Sequence, residues 1–136
     1  MSDKAFKLEI ITPRKVIFSG DVVSFTAPGV MGSFQVLVHH APLLATIGVG
    51  EAKLREPQGN EIRYATSGGF VDVKKNHVVM LADTAERAEE IDKAAAQADR
   101  DRALKIIEEQ NSQGEKEQAK IDLEIALNRI RVAEKQ

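Results

Sequence analysis

The sequence predicts a β + α fold: an all-β sandwich or barrel over residues 1–84, followed by an antiparallel two-helix hairpin over residues 85–136. Every proline, every aromatic residue and all but one of the glycines precede Asp83. Beyond it the chain consists mostly of residues that favour helices, with Gly114 as the single glycine. A domain that only has to fold does not need a long, highly charged helical tail. We therefore expect the tail to contact another molecule.

Short runs with strand character divide the first part. Phe6, Leu8 and Ile10 alternate with charged residues, a period of two that is typical of a half-buried strand. Pro13 ends this strand because proline cannot donate a hydrogen bond to a neighbouring strand. Further strands are predicted at residues 16–25 (with a turn at 19–21), 34–38, 51–55, 62–66, 70–73 and 77–82. Short strands without alternating helices favour a sandwich or barrel over a parallel α/β sheet.

The second part carries the signals of two helices around one turn. Asp83, with Glu86 three positions later, predicts an N-cap and a capping-box variant at the start of the first helix. This helix is expected to run to about Gln110, and the turn follows at residues 111–114. The second helix is predicted at residues 115–134.

The apolar faces of the two predicted helices are narrow and rich in alanine. The seam of the second helix comprises Ala119, Leu123, Ala126 or Leu127, Ile130 and Ala133, and the stripe of the first comprises Ala88, Ile91, Ala95, Ala98, Ile106 and Ile107. Alanine buries little area, so at about 25 cal/mol per Å2 such a seam holds the hairpin weakly. We expect that the hairpin can open or dock elsewhere.

Composition excludes several classes of function. The chain has no cysteine, which excludes disulfides and thiolate chemistry. Its net charge is −2 and charges of both signs are mixed along the chain, whereas a nucleic-acid-binding protein would have a more one-sided charge balance. Neither a signal-peptide pattern at the N-terminus nor an apolar run long enough for a bilayer span is present. We expect a soluble, cytosolic-type chain that reaches a membrane only through a partner.

No catalytic or metal site is predicted. His39 and His40 are adjacent in a predicted strand and would point to opposite faces, so they do not suit one metal ion. Asp72 and Asp83 lack a matched acid or base partner. Residues 67–69 (Ser-Gly-Gly) are too short for a dinucleotide fingerprint and predict a bulge or a close backbone approach.

A block of five residues is the best candidate for a contact surface. His40, Ala41, Pro42, Leu43 and Leu44 follow a predicted strand and are expected to form a rigid apolar edge. This edge is either a buried loop or a surface that binds another subunit.

Several motifs resemble one family. These are GSFQVLVHHAPLL at residues 32–44, SGGF at 67–70, VVMLADTA at 78–85 and LNRIRV at 127–132. In this order they resemble the epsilon subunit of bacterial and chloroplast F-type ATP synthases, and the resemblance covers the whole chain. It implies a ten-strand β-sandwich followed by an antiparallel helix pair. It also implies a non-catalytic subunit of the central stalk, or rotor, of a proton-translocating enzyme.

The resemblance also implies partners and a location. The sandwich would bind the gamma subunit and the c-ring subunits through His40, Ala41, Pro42, Leu43 and Leu44, and through the turn at residues 29–32. The helices would extend along gamma into the catalytic head of alpha and beta subunits and block ATP hydrolysis. Such a subunit is peripheral on the cytoplasmic side of the bacterial plasma membrane, with a thylakoid as the alternative. Neither nucleic acid nor direct insertion into the membrane is implied.

Four arginines match the basic side chains with which family members contact an acidic segment of the beta subunits. The best matches are Arg129 and Arg131, followed by Arg100 and Arg102. No acidic residue lies four positions from Arg129 or Arg131 on the predicted helix. We therefore expect both to be available to an external partner.

One departure from the family concerns ATP. Some bacterial members bind ATP through a first-helix motif of the form Ile-Asp-x-x-Arg-Ala. Here the run that begins at Ile91-Asp92 has Ala95 where the motif has its arginine. Arginine supplies a fork of donors for phosphate oxygens and alanine supplies none. We expect weak or absent ATP binding, and no cofactor.

Two other functions are compatible with the residues alone. One is a β-sandwich adaptor whose tail dimerises as a coiled coil, which sustained heptads would favour. The glycine-containing turn in the middle of the tail favours a hairpin instead. The other is a sandwich that binds a small molecule, which would need an interior pocket.

Overall fold

The fold is known from a computed structural model that describes residues 4–109 and 111–135. Backbone contacts divide the chain into two units, Met1–Arg87 and Ala88–Gln136. Within the described residues the first unit has eight strands: β1 (Phe6–Ile11), β2 (Val16–Val22), β3 (Ser24–Gly29), β4 (Gly32–Val36), β5 (Leu43–Arg55), β6 (Glu61–Lys74), β7 (His77–Ala82) and β8 (Ala85–Arg87). The second has a short 3-10 helix (Ala88–Glu90), α1 (Lys93–Glu108) and α2 (Gln113–Glu134).

The strands form one hydrogen-bonded path in the order β2-β1-β7-β6-β5-β3-β4, and β8 pairs with β6. Neighbours are antiparallel except for the parallel pair of β1 and β7. The alternation predicted for β1 is confirmed, since Phe6, Leu8 and Ile10 are buried and Lys7 is exposed. One core fills the interior, and its largest fully buried members include Phe25, Leu54 and Met80. Each such side chain contributes about 1.5–3 kcal/mol on burial.

Two long strands replace several shorter predicted ones. The predicted strands at 62–66 and 70–73 are one strand, β6, which pairs with β5 from Leu43↔Val73 to Arg55↔Glu61. The predicted turn at 19–21 is also wrong, because these residues continue β2 opposite β1. The sandwich class and the two-helix tail are therefore confirmed, but eight strands are described where the resemblance implied ten.

The β5–β6 ribbon presents opposite faces to the core in its two halves. Ile62 and Tyr64 of β6 are buried in one half, whereas Val71 and Val73 are buried in the other. Because successive residues of a strand point to opposite faces, the buried face changes between these halves. The change falls at Gly68-Gly69, where both backbones are left-handed with φ of 128° and 135°.

Gly69 is a point of close backbone approach. A Cβ atom on Gly69 would overlap the carbonyl oxygen of Leu81 on β7. The neighbouring Gly68 accepts a backbone hydrogen bond of 2.9 Å from Asp83. The close approach predicted for the Ser-Gly-Gly segment is confirmed.

The first helix begins later than predicted. Asp83 does not cap it, because residues Ala85–Arg87 form β8 and pair with β6. Instead Asp92 caps α1, and its side chain accepts a 3.0 Å hydrogen bond from the amide of Ala95. The unit boundary accordingly falls after Arg87, whereas the sequence placed it after Thr84. The strand pairing of these residues with β6 therefore outweighs a local sequence that resembles a helix N-cap.

The second helix begins earlier than predicted. Ser112 and Glu115 form a capping box that places Gly114 inside the first turn of α2. Gln110, the predicted end of the first helix, lies outside the described residues. None of the helices within the described part of the chain is long and apolar enough to cross a bilayer.

The seam between α1 and α2 is thin. α2 buries Ala119, Ala126 and Ile130, as predicted, and also Asn128 and Val132, which lie on a different face of the helix. The α1 side of the seam buries Ala96 and Ala103, so the predicted use of Ala95 and Ala98 is wrong and both are exposed. The run of alanines around position 95 has no apolar periodicity that distinguishes one face of the helix. Packing against α2 therefore determines which of them is buried.

We expect the substitution Gly69→Ala to destabilise the first unit by about 2–4 kcal/mol, from left-handed strain together with steric overlap. Gly59→Ala is the matched control, because Gly59 has φ of 105° but no atom near its added Cβ. Tyr64 is the single tyrosine, the chain has no tryptophan, and Tyr64 is buried, so its fluorescence during urea unfolding reports on this unit. Equal losses in the two variants would contradict the close approach.

Candidate partner-binding surfaces

The loop after β4 is fixed by hydrogen bonds. His39 has a left-handed backbone with φ of 64°, and its amide donates to the side-chain oxygen of Asn76 over 3.2 Å. The amide of His40 donates to the carbonyl of Leu37 over 3.2 Å. The two histidines therefore lie in a turn, and the predicted strand at 34–38 ends at Val36. The prediction that the two histidines are adjacent strand residues is therefore wrong.

The block that follows this turn is exposed rather than buried. Ala41, Pro42 and Leu43 are exposed, His40 is half-buried, and Leu44 has 72% of its surface accessible. Of the two alternatives left by the sequence, the buried loop is therefore wrong. An apolar edge this accessible has the exposure that a contact surface requires.

A second exposed loop lies beside this edge. Val30 and Met31 form the tip between β3 and β4, and Met31 is 96% exposed. The amide of Val30 donates a 3.0 Å hydrogen bond to the carbonyl of Thr46 on β5, which holds the tip against that strand. With Leu43 and Leu44 the tip lines a shallow concavity of about 530 Å3. We call Val30, Met31, Leu43 and Leu44 the apolar rim.

Apolar side chains also continue onto the outer face of the sheet. Phe70 on β6 pairs with Thr46 on β5 and with Leu81 on β7, so the three share one face. Phe70 is 52% exposed and Leu81 51% exposed. Single exposed leucines are ordinary, but contiguous apolar surface marks interaction sites.

Neither Phe70 nor Leu81 was predicted from the sequence to be a surface residue. The alternation of side chains along a strand indicates the exposure of Phe70. Phe70 adjoins Val71, so it points away from the core when Val71 points inward.

The four arginines of the helical unit all have partners inside that unit. Arg100 and Arg102 contact Asp101 and Asp99 on their own helix, at 3.0 and 2.8 Å. Arg129 reaches across to α1 and lies 3.4 Å from the second carboxylate oxygen of Asp99, with 19% of its side chain exposed.

The expectation that Arg129 lacks an internal partner was therefore wrong. It considered pairs along one helix, whereas this pair joins two helices. Arg131 is exposed and donates a 3.1 Å hydrogen bond to the side-chain oxygen of Asn128. Contact between these arginines and an external partner stays a prediction.

The ATP motif does not fit this helix. Ala95 is exposed on α1 and carries no donor for a phosphate oxygen. Asp92 is engaged as the N-cap. Arg102 and Arg129 line a cavity of about 270 Å3 between the helices, but both contact Asp99 there.

Metal-binding chemistry has no support in the part of the chain that the structure describes. Across residues 4–109 and 111–135, histidine and acidic side chains do not form a group of three that could hold an ion. Asp72 has a simple structural use, because its carboxylate lies 3.8 Å from the amino group of Lys74.

Comparison with known proteins identifies the family. The family described as ATP synthase, Delta/Epsilon chain, beta-sandwich domain matches residues 5–88. The ATP synthase epsilon chain of Desulforamulus reducens is 40% identical over 131 residues, covering 96% of this chain and 98% of that relative. The epsilon chain of Syntrophomonas wolfei is 36% identical, covering 99% and 98%. The chain belongs to the ATP synthase delta/epsilon chain family, which confirms the resemblance read from its motifs.

Solved structures show the same fold. A chain of the mitochondrial ATP synthase of Euglena gracilis, solved as OSCP/F1/c-ring, superposes with a TM-score of 0.82 at 22% identity, covering 91% of this chain and 78% of that one. A chain of the Tetrahymena thermophila central stalk/c-ring structure gives 0.68 at 17% identity, covering 93% and 95%.

We expect no calorimetric signal for ATP binding to the full chain at micromolar nucleotide, because position 95 offers no donor. Ala95→Arg restores the missing guanidinium donors. We expect it to tighten ATP binding by about tenfold, which is the typical effect of one charge-assisted hydrogen bond. Ala94→Arg, also exposed on α1, is the matched control for added charge. A clear signal from the unaltered chain would contradict this account.

Proposed function

We propose that this chain is the epsilon subunit of the central stalk of a proton-translocating F-type ATP synthase and has no catalytic role of its own. Its first unit would anchor it to the rotor, and its second unit would restrain ATP hydrolysis. Family membership over nearly the whole chain supports the assignment. The two roles are inferred from one contrast. The sandwich is fully packed and has exposed apolar surface, whereas the helical hairpin is thinly packed.

The apolar rim and the outer face suit a permanent partner. Met31 and Leu44 expose large apolar side chains that no folding requirement explains, and Phe70 and Leu81 extend this surface. Burying such residues against another subunit removes apolar area from water, which drives most protein association. We assign this surface to the gamma subunit and the c-ring subunits. Both solved structures compared above include the c-ring.

The helical unit suits a reversible contact with the alpha and beta subunits. Its seam is built largely from alanine, so its two helices separate more readily than the strands of the sandwich. The arginines on both helices offer positive charge that an acidic protein surface would attract. Extension of the helices into the catalytic head would then obstruct rotation in the direction of hydrolysis.

Location follows from the same assignment. We place the chain at the bacterial plasma membrane, peripheral and on the cytoplasmic side, with the thylakoid as the alternative. The full-length relatives compared above are epsilon chains of bacteria, which supports the bacterial location. The adaptor alternative loses support, because the apolar seam of the tail is used within the chain rather than by a second copy.

The test is the ATPase activity of a catalytic head of alpha, beta and gamma subunits that lacks epsilon. We expect the full chain to bind and slow hydrolysis, and a chain that ends at Arg87 to bind without slowing it. Ending at Arg87 retains β8, and Tyr64 fluorescence verifies that the shortened chain is folded. Failure of both chains to bind would contradict the assignment.

Surface variants test the anchor separately. We expect Met31→Ser with Leu44→Ser to weaken binding to a complex of gamma with the c-ring by about tenfold or more, or roughly 1.4 kcal/mol. Leu104→Ser is the control, because Leu104 is an exposed leucine of α1 and lies outside the first unit. Equal affinities for the double variant and the control would show that the rim is not the anchor.

A further inference from the structure

Ion pairs join α1 to α2. Asp99 contacts Arg129 at 3.4 Å, and Lys93 at the start of α1 contacts Glu134 at the end of α2 at 2.8 Å. Along α2, the buried Ile130 follows Arg129 directly and precedes Glu134 by four residues. The pairs therefore lie near both ends of the last turns of α2.

Asp99 uses both of its carboxylate oxygens. One accepts from Arg102, three residues ahead on the same helix, at 2.8 Å, and the other accepts from Arg129 of the opposite helix at 3.4 Å. The bond from Arg102 fixes the orientation of the carboxylate, so the second oxygen faces α2. Opening the hairpin would leave the pair with Arg102 intact and break the pair with Arg129.

Such a pair has more influence here than at an ordinary surface. Arg129 is mostly buried, so its guanidinium is less screened by water and salt than a fully exposed one. The apolar contribution of α1 comes from Ala96 and Ala103, which bury little area. Loss of Asp99 would also remove part of the compensation of a mostly buried charge beside a thin seam.

We propose that Asp99 is an ionic clasp for the hairpin: it holds Arg129 while the helices are paired and releases it when they separate. Arg129 then becomes available to an acidic protein surface only in the open hairpin. Asp99 and such a surface compete for the same guanidinium. The release step rests on the proposed function, but the clasp itself is a property of the isolated chain.

The experiment is amide hydrogen exchange of the isolated full-length protein at low salt, followed by mass spectrometry of peptides from α1 and α2. We expect Asp99→Asn and Arg129→Gln each to speed exchange of these peptides by about two- to fivefold, the upper part of the range for a partly exposed ion pair. The effects of the two single variants should not add in the double variant, because each of them removes the Asp99–Arg129 contact. Peptides of β6 serve as the internal reference.

Matched controls separate the clasp from general charge effects. Asp101→Asn removes the same charge from the same helix, but Asp101 pairs with Arg100 beside it. Arg102→Gln removes only the contact within α1. We expect less than about a twofold change for Asp101→Asn and a smaller change for Arg102→Gln than for Arg129→Gln. Equal exchange in Asp99→Asn and Asp101→Asn, or additive effects of Asp99→Asn and Arg129→Gln, would overturn the clasp.

The link to function is tested apart from the clasp. In the epsilon-depleted ATPase assay, Asp99→Asn should slow hydrolysis more than the unaltered chain at equal concentration, and Asp101→Asn should not. Faster exchange without stronger inhibition would support the clasp and overturn release of Arg129 as a regulatory step. Absence of inhibition by every variant, including the unaltered chain, would instead count against the proposed function.

Discussion

Pairing of β5 with β6 along their full lengths is the interaction on which the first unit depends. β3 joins the sheet through β5, and both β7 and β8 join through β6. The same ribbon supplies Leu43 and Leu44 at one end of the rim and Phe70 on the outer face. Its change of buried face at Gly68-Gly69 lets it cover the core in both halves while large apolar residues remain outside. The candidate anchor surface is therefore a consequence of how the ribbon crosses the core.

The helical unit is stabilised by different interactions from the sandwich. Its buried residues on α1 are alanines, and ion pairs bridge the two helices. Apolar burial in the sandwich is strong and depends little on salt, whereas a bridged alanine seam is weaker and depends on charge. A firmly packed unit and a more weakly packed one thus arise from the composition of the two halves of one chain. This contrast supports the proposal of an anchor and a separable arm.

Sequence reasoning recovered the fold class, the two-part organisation and the exposed His40 to Leu44 block as a candidate. It failed where a distant partner decides the outcome. Asp83 and Glu86 form a valid capping sequence, yet β6 recruits the following residues into β8. Separate strands were predicted at 62–66 and 70–73, yet Gly68 and Gly69 let one long strand continue past Leu81. Arg129 looked unpaired along its helix because Asp99 is thirty residues away in sequence.

The central claim is that the chain carries a firmly packed sandwich and a weakly packed, charge-bridged hairpin. Urea unfolding followed by two probes tests it most directly: fluorescence of Tyr64 for the sandwich, and circular dichroism at the helical minimum for the hairpin. The account predicts that the helical signal is lost at lower urea than the tyrosine signal, and that added salt moves only the helical midpoint downward. Coincident transitions with the same response to salt would contradict it.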